Sequence, residues 1–208
     1  MSTVPPLGRV VLATHNAGKL REFRELVVPA GLDLVAAGDL GLPEPEENGG
    51  SFVANARIKA QAALSATGLP SLADDSGIAV YGLDGDPGVD SALWAGPGKD
   101  FAPAMRRVVE ILVARFGSYE AADKRAAFVC VLCLLWPDGR ELVVEGRTEG
   151  HVLDRPRGTG GFGYDPIFVP DGHAQSFGEM NAAEKHALSH RGKAIRALLA
   201  ALASPPGP

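Results

Sequence analysis

Several short stretches of this sequence bring together side chains suited to a phosphorylated ligand. Thr14-His15-Asn16-Ala17-Gly18-Lys19 offers a hydroxyl, an amide, a flexible glycine and a cation, and it leads into a helix start whose N–H groups favour a phosphate. It is not a Walker loop, because the glycine spacing and the Lys-Ser/Thr pair are missing. Asp74-Asp75-Ser76-Gly77 sets two carboxylates side by side after an apolar stretch, where a pleat sends one to each face. They read equally as turn caps and as catalytic groups. Glu46-Glu47, in a turn-rich acidic loop, could add a further carboxylate. Two carboxylates with waters and phosphate oxygens make an oxygen-only site suited to magnesium.

Gly158-Thr159-Gly160-Gly161-Phe162-Gly163-Tyr164-Asp165 is the most unusual segment. Its glycines permit close backbone approach to a ligand, and Phe162 and Tyr164 offer flat surfaces for a base. A tight turn with aromatic plugs is the competing reading. Lys185, His190 and Arg191 form a compact basic group, either a solvated face or a ligand contact re-aimed by a helix break at Gly192. Ser76 lies in no nucleophile-elbow sequence, so covalent catalysis is disfavoured. The five histidines lack metal-binding pairing, and Cys130 and Cys133 have no second pair to complete a zinc site.

The elements that must position these residues interleave. Val10 to Ala13 reads as a buried strand, and Leu20, Phe23 and Val27 recur at helical spacing after it. A strand around Leu32 to Val35 follows, then the acidic loop. Ser51 is a plausible N-cap for a helix to about Ala66, with Asn55 and Lys59 on one face. Leu69 to Ala73 and Ile78 to Tyr81 read as two strands flanking the aspartates, and Gly82 to Gly98 as mostly loop. Met105, Val108, Leu112 and Phe116 mark a helix with Pro103 near its start. Ala126 to Trp136 and Glu141 to about Arg147 form a hairpin about Pro137-Asp138-Gly139. A short strand at Ile167 to Val169 and a helical C-terminus complete the pattern, with a frayed tail from Ser204 to Pro208. This predicts a mixed α/β fold in one domain.

Composition narrows the function. A formal net charge of −5 argues against polynucleotide capture, so an anionic ligand must meet a local basic cluster. No run approaches the roughly 20 apolar residues that span a bilayer, and the N-terminus does not read as a signal peptide. Two cysteines in an apolar strand, three apart and therefore on opposite faces, fit a reducing compartment. The expectation is a cytoplasmic protein without membrane partners.

Five blocks in order resemble the inosine triphosphate pyrophosphatase, or Ham1-like, family. They are Thr14-x-Asn16-x-x-Lys19-x-x-Glu22, Ser51-Phe52 with Asn55-Ala56 and Lys59-Ala60, Ala73-Asp74-Asp75-Ser76-Gly77, Gly160 to Pro166, and Ser189-His190-Arg191-Gly192. The resemblance runs from about Val10 to Leu202. It implies an elongated mixed sheet with flanking helices, two lobes around a central active-site cleft, and a homodimer. It also implies magnesium-dependent hydrolysis of inosine, deoxyinosine and xanthosine triphosphates to the monophosphate and pyrophosphate. Carried over by position, Thr14, His15, Asn16, Ala17, Gly18 and Lys19 would hold the triphosphate with Lys59. Glu47 and Asp75 would hold the metal, with Asp75 as proton acceptor and Ser76 as a substrate contact. Phe162, Gly163, Tyr164, Asp165, Lys185, His190 and Arg191 would take base and sugar.

The sequence departs from the family pattern at Asp90, where an aromatic is usual, and at Leu93, where an arginine is usual. Two alternatives stand beside it: a pyrophosphatase of the Maf kind acting on modified pyrimidines or dTTP, and, given Asp90 and Leu93, a nucleotide-binding module without turnover. A triphosphate panel separates all three.

Overall fold

The computed structural model describes residues 8–28 and 31–204. All of the expected frayed tail beyond Ser204 lies outside the described residues. In chain order the elements are β1 (Arg9–Leu12), α1 (Ala17–Val27), β2 (Asp33–Ala36), α2 (Phe52–Thr67), β3 (Ser71–Val80), α3 (Ser91–Trp94), α4 (Phe101–Phe116), β4 (Arg125–Leu135), β5 (Glu141–Val152), β6 (Phe168–Pro170), α5 (Ala182–Leu188) and α6 (His190–Ala203). The strands form a six-stranded sheet in the order β2-β1-β3-β4-β5-β6. β1 runs parallel to β2 and to β3, while β6 runs antiparallel to β5. The sheet is therefore mixed, as the hairpin in the sequence requires.

The chain divides into two compact units. The first takes in the residues up to Asp75, Cys130–Gly146 and the residues from Arg191 onward; the second comprises Ser76–Val129 and Arg147–His190. In the first unit both sheet faces are covered, which explains why β1 reads as a continuous apolar run. Val10 and Leu12 pack with Phe23 and Val27 of α1 and with Ile195 and Leu198 of α6. Val11 and Ala13 pack on the opposite face against Ala56, Ala60 and Ala63 of α2. Cys130 and Cys133 join opposite clusters, as their spacing predicts. Ser51 caps α2 by accepting a hydrogen bond from the Ala54 N–H at 3.2 Å.

The second unit has its own core. Ile78 and Val80 pack with Met105, Val108 and Leu112 of α4 and with Phe128, Phe168 and Phe177. Burying a side chain of this size stabilises the fold by about 1.5–3 kcal/mol.

The structure corrects several expectations. β3 runs unbroken from Ser71 to Val80, where the sequence predicts two strands separated by a turn. Each aspartate finds a cation on its own side, so the pleat continues through them. Gly77 serves close packing here: a Cβ would collide with the Gly88 carbonyl and Ser91 Oγ. Next, Gly82 to Gly98 is not open loop but carries 3-10 turns at Tyr81–Leu83 and Gly88–Asp90 and the short helix α3. Finally, the break near the C-terminus falls at Ser189, which is extended (φ −67°, ψ 152°), and Gly192 sits inside the first turn of α6. β5 also extends past Arg147 to Val152, because exposed charged residues alternate there with buried Gly146, Thr148 and Gly150.

Candidate active site

In the first unit, the turn after β1 is fixed by its own side chains. Thr14 Oγ1 accepts from the Asn16 N–H at 3.2 Å, and Asn16 Oδ1 caps α1 by accepting from the Lys19 N–H at 3.1 Å. The cap engages the amide oxygen, so a ligand contact from Asn16 falls to Nδ2. Exposed Ala17 and half-buried Gly18 begin the helix, where the backbone dipole favours an anion. His15 turns away from this anion seat, with Nε2 2.8 Å from the Leu42 carbonyl oxygen.

The two aspartates of β3 anchor separate ion clusters. Asp74 Oδ2 meets Lys19 Nζ at 3.0 Å and an Arg191 guanidinium nitrogen at 3.2 Å, and Arg191 also pairs with Glu22. The chain of charges is Glu22, Arg191, Asp74, Lys19. Only Lys19 reaches solvent appreciably, with 15% of its side chain exposed against 1% for Arg191. Burial alone would raise the Asp74 carboxyl, but Lys19, Arg191 and Lys59 together outweigh it and hold it well below the usual carboxylate range.

On the other side, Lys59 of α2 places its ammonium 3.0 Å from Asp75 Oδ1 and 3.1 Å from Glu47 Oε1. Asn55, one turn earlier, donates to Asp75 Oδ2 at 3.3 Å and accepts from the Gly49 N–H at 2.9 Å. One helical face thus holds the catalytic candidate and the acidic loop together. Glu47, rather than Glu46, is the loop residue paired with Lys59. Burial pushes Asp75 up to about 6, aided by Glu47 and opposed by Lys59 and Lys19. Burial pulls Lys59 down, but Asp75, Asp74 and Glu47 outweigh it and keep the ammonium charged.

The residues fit a hard divalent cation. Glu47 and Asp75 converge on one ammonium, which shows that both carboxylates reach a common positive charge. Among the described residues no group of three or more His, Cys, Asp or Glu side chains could hold a metal. Two carboxylates leave the remaining positions to water and phosphate oxygens, the arrangement magnesium prefers.

In the second unit, Asp165 Oδ2 accepts from the Phe162 N–H and from Lys185 Nζ, both at 2.7 Å, and that ammonium lies 4.8 Å from the centre of the Phe162 ring. Gly161 and Gly163 take positive φ (70° and 67°), so the loop folds back over its own aspartate. The half-buried Phe162 ring remains as the flat surface of this loop. Ser76 continues β3 directly after Asp75 and is half-buried.

Three of the expected base contacts have side-chain partners within the protein. Tyr164 is 2% exposed: its hydroxyl donates to the Ser91 carbonyl at 3.1 Å and its ring meets Phe101 edge-on at 5.3 Å, so it anchors the loop and offers no face to a base. The His190 ring stacks on Phe128, with centroids 4.6 Å apart and an 8° interplanar angle, inside the core. The Arg191 side chain is committed to Glu22 and Asp74 in the first unit. Sequence reasoning gave Glu22, Asp74 and Asn55 no separate role. The signal for Asn55 was its placement four residues before Lys59 on one helix face.

Comparison with known proteins gives the class to which this α/β sheet, with its lysine–carboxylate clusters beside a capped helix start, belongs. A HAM1 protein from Coxiella burnetii superposes with a TM-score of 0.84 at 39% identity, covering 93% of this chain and 98% of that one. A nucleoside-triphosphatase / dITP/XTP pyrophosphatase from Mycobacterium abscessus superposes with a TM-score of 0.70 at 43% identity, covering 92% and 99%. The dITP/XTP pyrophosphatase of Rhodopseudomonas palustris is 54% identical over 195 residues, 90% of this chain and 92% of its own. That of Zymomonas mobilis is 55% identical over 194 residues, 93% and 91% of the two chains. The profile of the Ham1 family matches residues 10–201, and the chain belongs to this family. The Rhodopseudomonas, Zymomonas and Mycobacterium relatives are named as dITP/XTP pyrophosphatases, nucleoside triphosphate pyrophosphatases of the hydrolase class.

Proposed function

We propose that this chain is a nucleoside triphosphate pyrophosphatase that converts ITP, dITP and XTP to the monophosphate and pyrophosphate. The observation that carries the reading is the Lys59 ammonium held by Asp75 and Glu47, with Lys19 held by Asp74 on the other side of β3. Relatives more than half identical are named for dITP and XTP.

Lys19, the Asn16 amide and the N–H groups at the start of α1 bind phosphate oxygens, and Lys59 adds a second cation. A nucleoside triphosphate brings about four negative charges, and their neutralisation is the main demand of phosphoryl transfer. Magnesium, held by Glu47 and Asp75, supplies Lewis-acid charge neutralisation when bound. Asp75 orients a water molecule and takes its proton as the oxygen attacks the α-phosphorus. The bond to the bridging oxygen breaks, and pyrophosphate leaves. In the metal-free protein burial raises this carboxyl to about 6, and a bound dication would favour its ionised, proton-accepting form. Neither cysteine competes as a nucleophile, since burial pushes both thiols up to about 12.

Phe162 and the glycine loop take the base, and Ser76 contacts the substrate. With the His190 and Arg191 side chains engaged elsewhere, recognition of the C6 oxygen falls to backbone N–H groups at the start of α6 and to Lys185. Adenine, which carries an amino group there, would leave donors unpaired at about 1–3 kcal/mol each, roughly 5- to 150-fold. The chain acts as one Ham1-like domain, as a homodimer in the cytoplasm. No described helix is long and apolar enough to cross a membrane.

The test is a triphosphate panel with magnesium and pyrophosphate detection. ITP and XTP turned over far faster than ATP, with pyrophosphate as first product, is the expected result. Orthophosphate as first product, or preference for pyrimidine triphosphates, would overturn the reading.

A further inference from the structure

Lys59 engages both carboxylates assigned to the metal. Its ammonium donates a hydrogen bond to Asp75 Oδ1 at 3.0 Å, and Glu47 Oε1 lies 3.1 Å from the same nitrogen as an ion pair. Only 7% of the Lys59 side chain is exposed, so water does little to screen it. The remaining oxygen of Asp75 is tied to Asn55, and Asn55 in turn ties down Gly49 of the acidic loop. The carboxylate pair is therefore preassembled around an internal cation.

We infer that Lys59 is an internal counter-ion that competes with the divalent cation for Asp75 and Glu47, so that metal and triphosphate bind with mutual reinforcement. The inference rests on the proposed pyrophosphatase site. A dication sharing the same two carboxylates meets a monocation at close range in a poorly screened setting, and this repulsion weakens binding of metal alone. The triphosphate changes the balance because it offers Lys59 an alternative anion. Once the ammonium turns to a phosphate oxygen, both carboxylates serve the metal. By linkage, whatever the triphosphate adds to metal affinity, the metal adds to triphosphate affinity. Lys59 thus holds two like-charged carboxylates together in the free protein, and it disfavours metal capture without substrate.

Lys19 provides the control. It carries the same charge but comes from α1 and pairs with Asp74 rather than with the carboxylate pair. General loss of positive charge and removal of a specific competitor are therefore separable.

The experiment is binding of Mn²⁺ alone to the full-length metal-free protein, measured by electron paramagnetic resonance and calorimetry, for wild type, Lys59→Met and Lys19→Met. Circular dichroism verifies that each is folded, and Lys59→Gln serves if Lys59→Met is not. Lys59→Met should bind Mn²⁺ at least tenfold more tightly than wild type, and Lys19→Met within about threefold of it. Equal or weaker Mn²⁺ binding by Lys59→Met, or equal tightening by Lys19→Met, overturns the inference. Turnover is not read here, so failure of the proposed activity shows separately, as absence of pyrophosphate release by the wild type.

Discussion

Asp74 and Asp75 are consecutive residues of one strand whose carboxylates serve different cations: Lys19 at 3.0 Å and Arg191 at 3.2 Å for Asp74, Lys59 at 3.0 Å for Asp75. The first is driven below the ordinary carboxylate range and the second is raised to about 6. Adjacent, chemically identical groups thereby take separate tasks, one fixing a lysine and the other poised to accept a proton.

Asp75→Asn should lower kcat for ITP by about 10²- to 10⁴-fold, the usual contribution of a positioned base. Asn fills the same space, so circular dichroism should be unchanged. Activity within threefold of wild type would remove Asp75 from its assigned role.

The two aspartates should also give opposite pH signatures in metal-free thermal melts. A carboxyl raised from 3.8 to about 6 makes the folded state bind the proton more tightly, so its stabilising contribution is full below 3.8 and declines as pH rises to 6. A depressed carboxyl contributes stability that is present above 3.8 and is lost as pH falls. The melting temperature of Asp75→Asn, relative to wild type, should therefore climb by several degrees between pH 4 and pH 7. That of Asp74→Asn should drop as pH rises from 3 to 5. Parallel trends would contradict the assignment.

Arg191→Met leaves Glu22 and Asp74 buried without their shared cation. Breaking a buried pair in this way costs about 3–5 kcal/mol, or roughly 6–20 °C in melting temperature for a chain of this size. Arg191→Lys should lose less, because it keeps the charge. A variant that melted like wild type but showed a raised KM would return Arg191 to the base pocket.

Gly161→Ala tests the glycine loop. Gly161 combines a φ of 70° with a position where a Cβ would strike the Asp165 carboxylate. KM for ITP should rise about tenfold or more. Gly172, at φ 80° with nothing within 4 Å of a Cβ, carries the backbone strain without the collision. Gly172→Ala should leave KM alone, and equal effects would point to strain as the cause.

The elements were largely legible from the sequence, because β1 and β4 are unbroken apolar runs and α2 and α4 repeat apolar residues at helical spacing. β3 was not, since Asp-Asp-Ser-Gly has turn composition and only its distant partners make it strand. The same limit applies to Arg191. Its basic neighbours Lys185 and His190 suggest a shared pocket, whereas its partners Glu22 and Asp74 lie 169 and 117 residues away. Tyr164 misleads for another reason: a glycine-flanked aromatic looks exposed, and its burial depends on Phe101 and Ser91, which periodicity does not connect to it. Lys19, Lys59, Glu47 and Asp75 were singled out by the resemblance to the family's ordered blocks, and the structure brings Lys59 to Glu47 and Asp75 and Lys19 to Asp74.

Cys130 and Cys133, on opposite faces of interior strand β4, have a consequence for handling the protein. Three residues of extended chain span roughly 10 Å, beyond the ~7 Å that a disulfide can bridge, so oxidants cannot lock the sheet through its own thiols. Both sulfurs are sealed in while β4 keeps its neighbours, and each becomes alkylable when the strand is exposed. The rate at which a thiol reagent labels the native enzyme is therefore a clock for the opening of the sheet, readable by mass without any engineered probe.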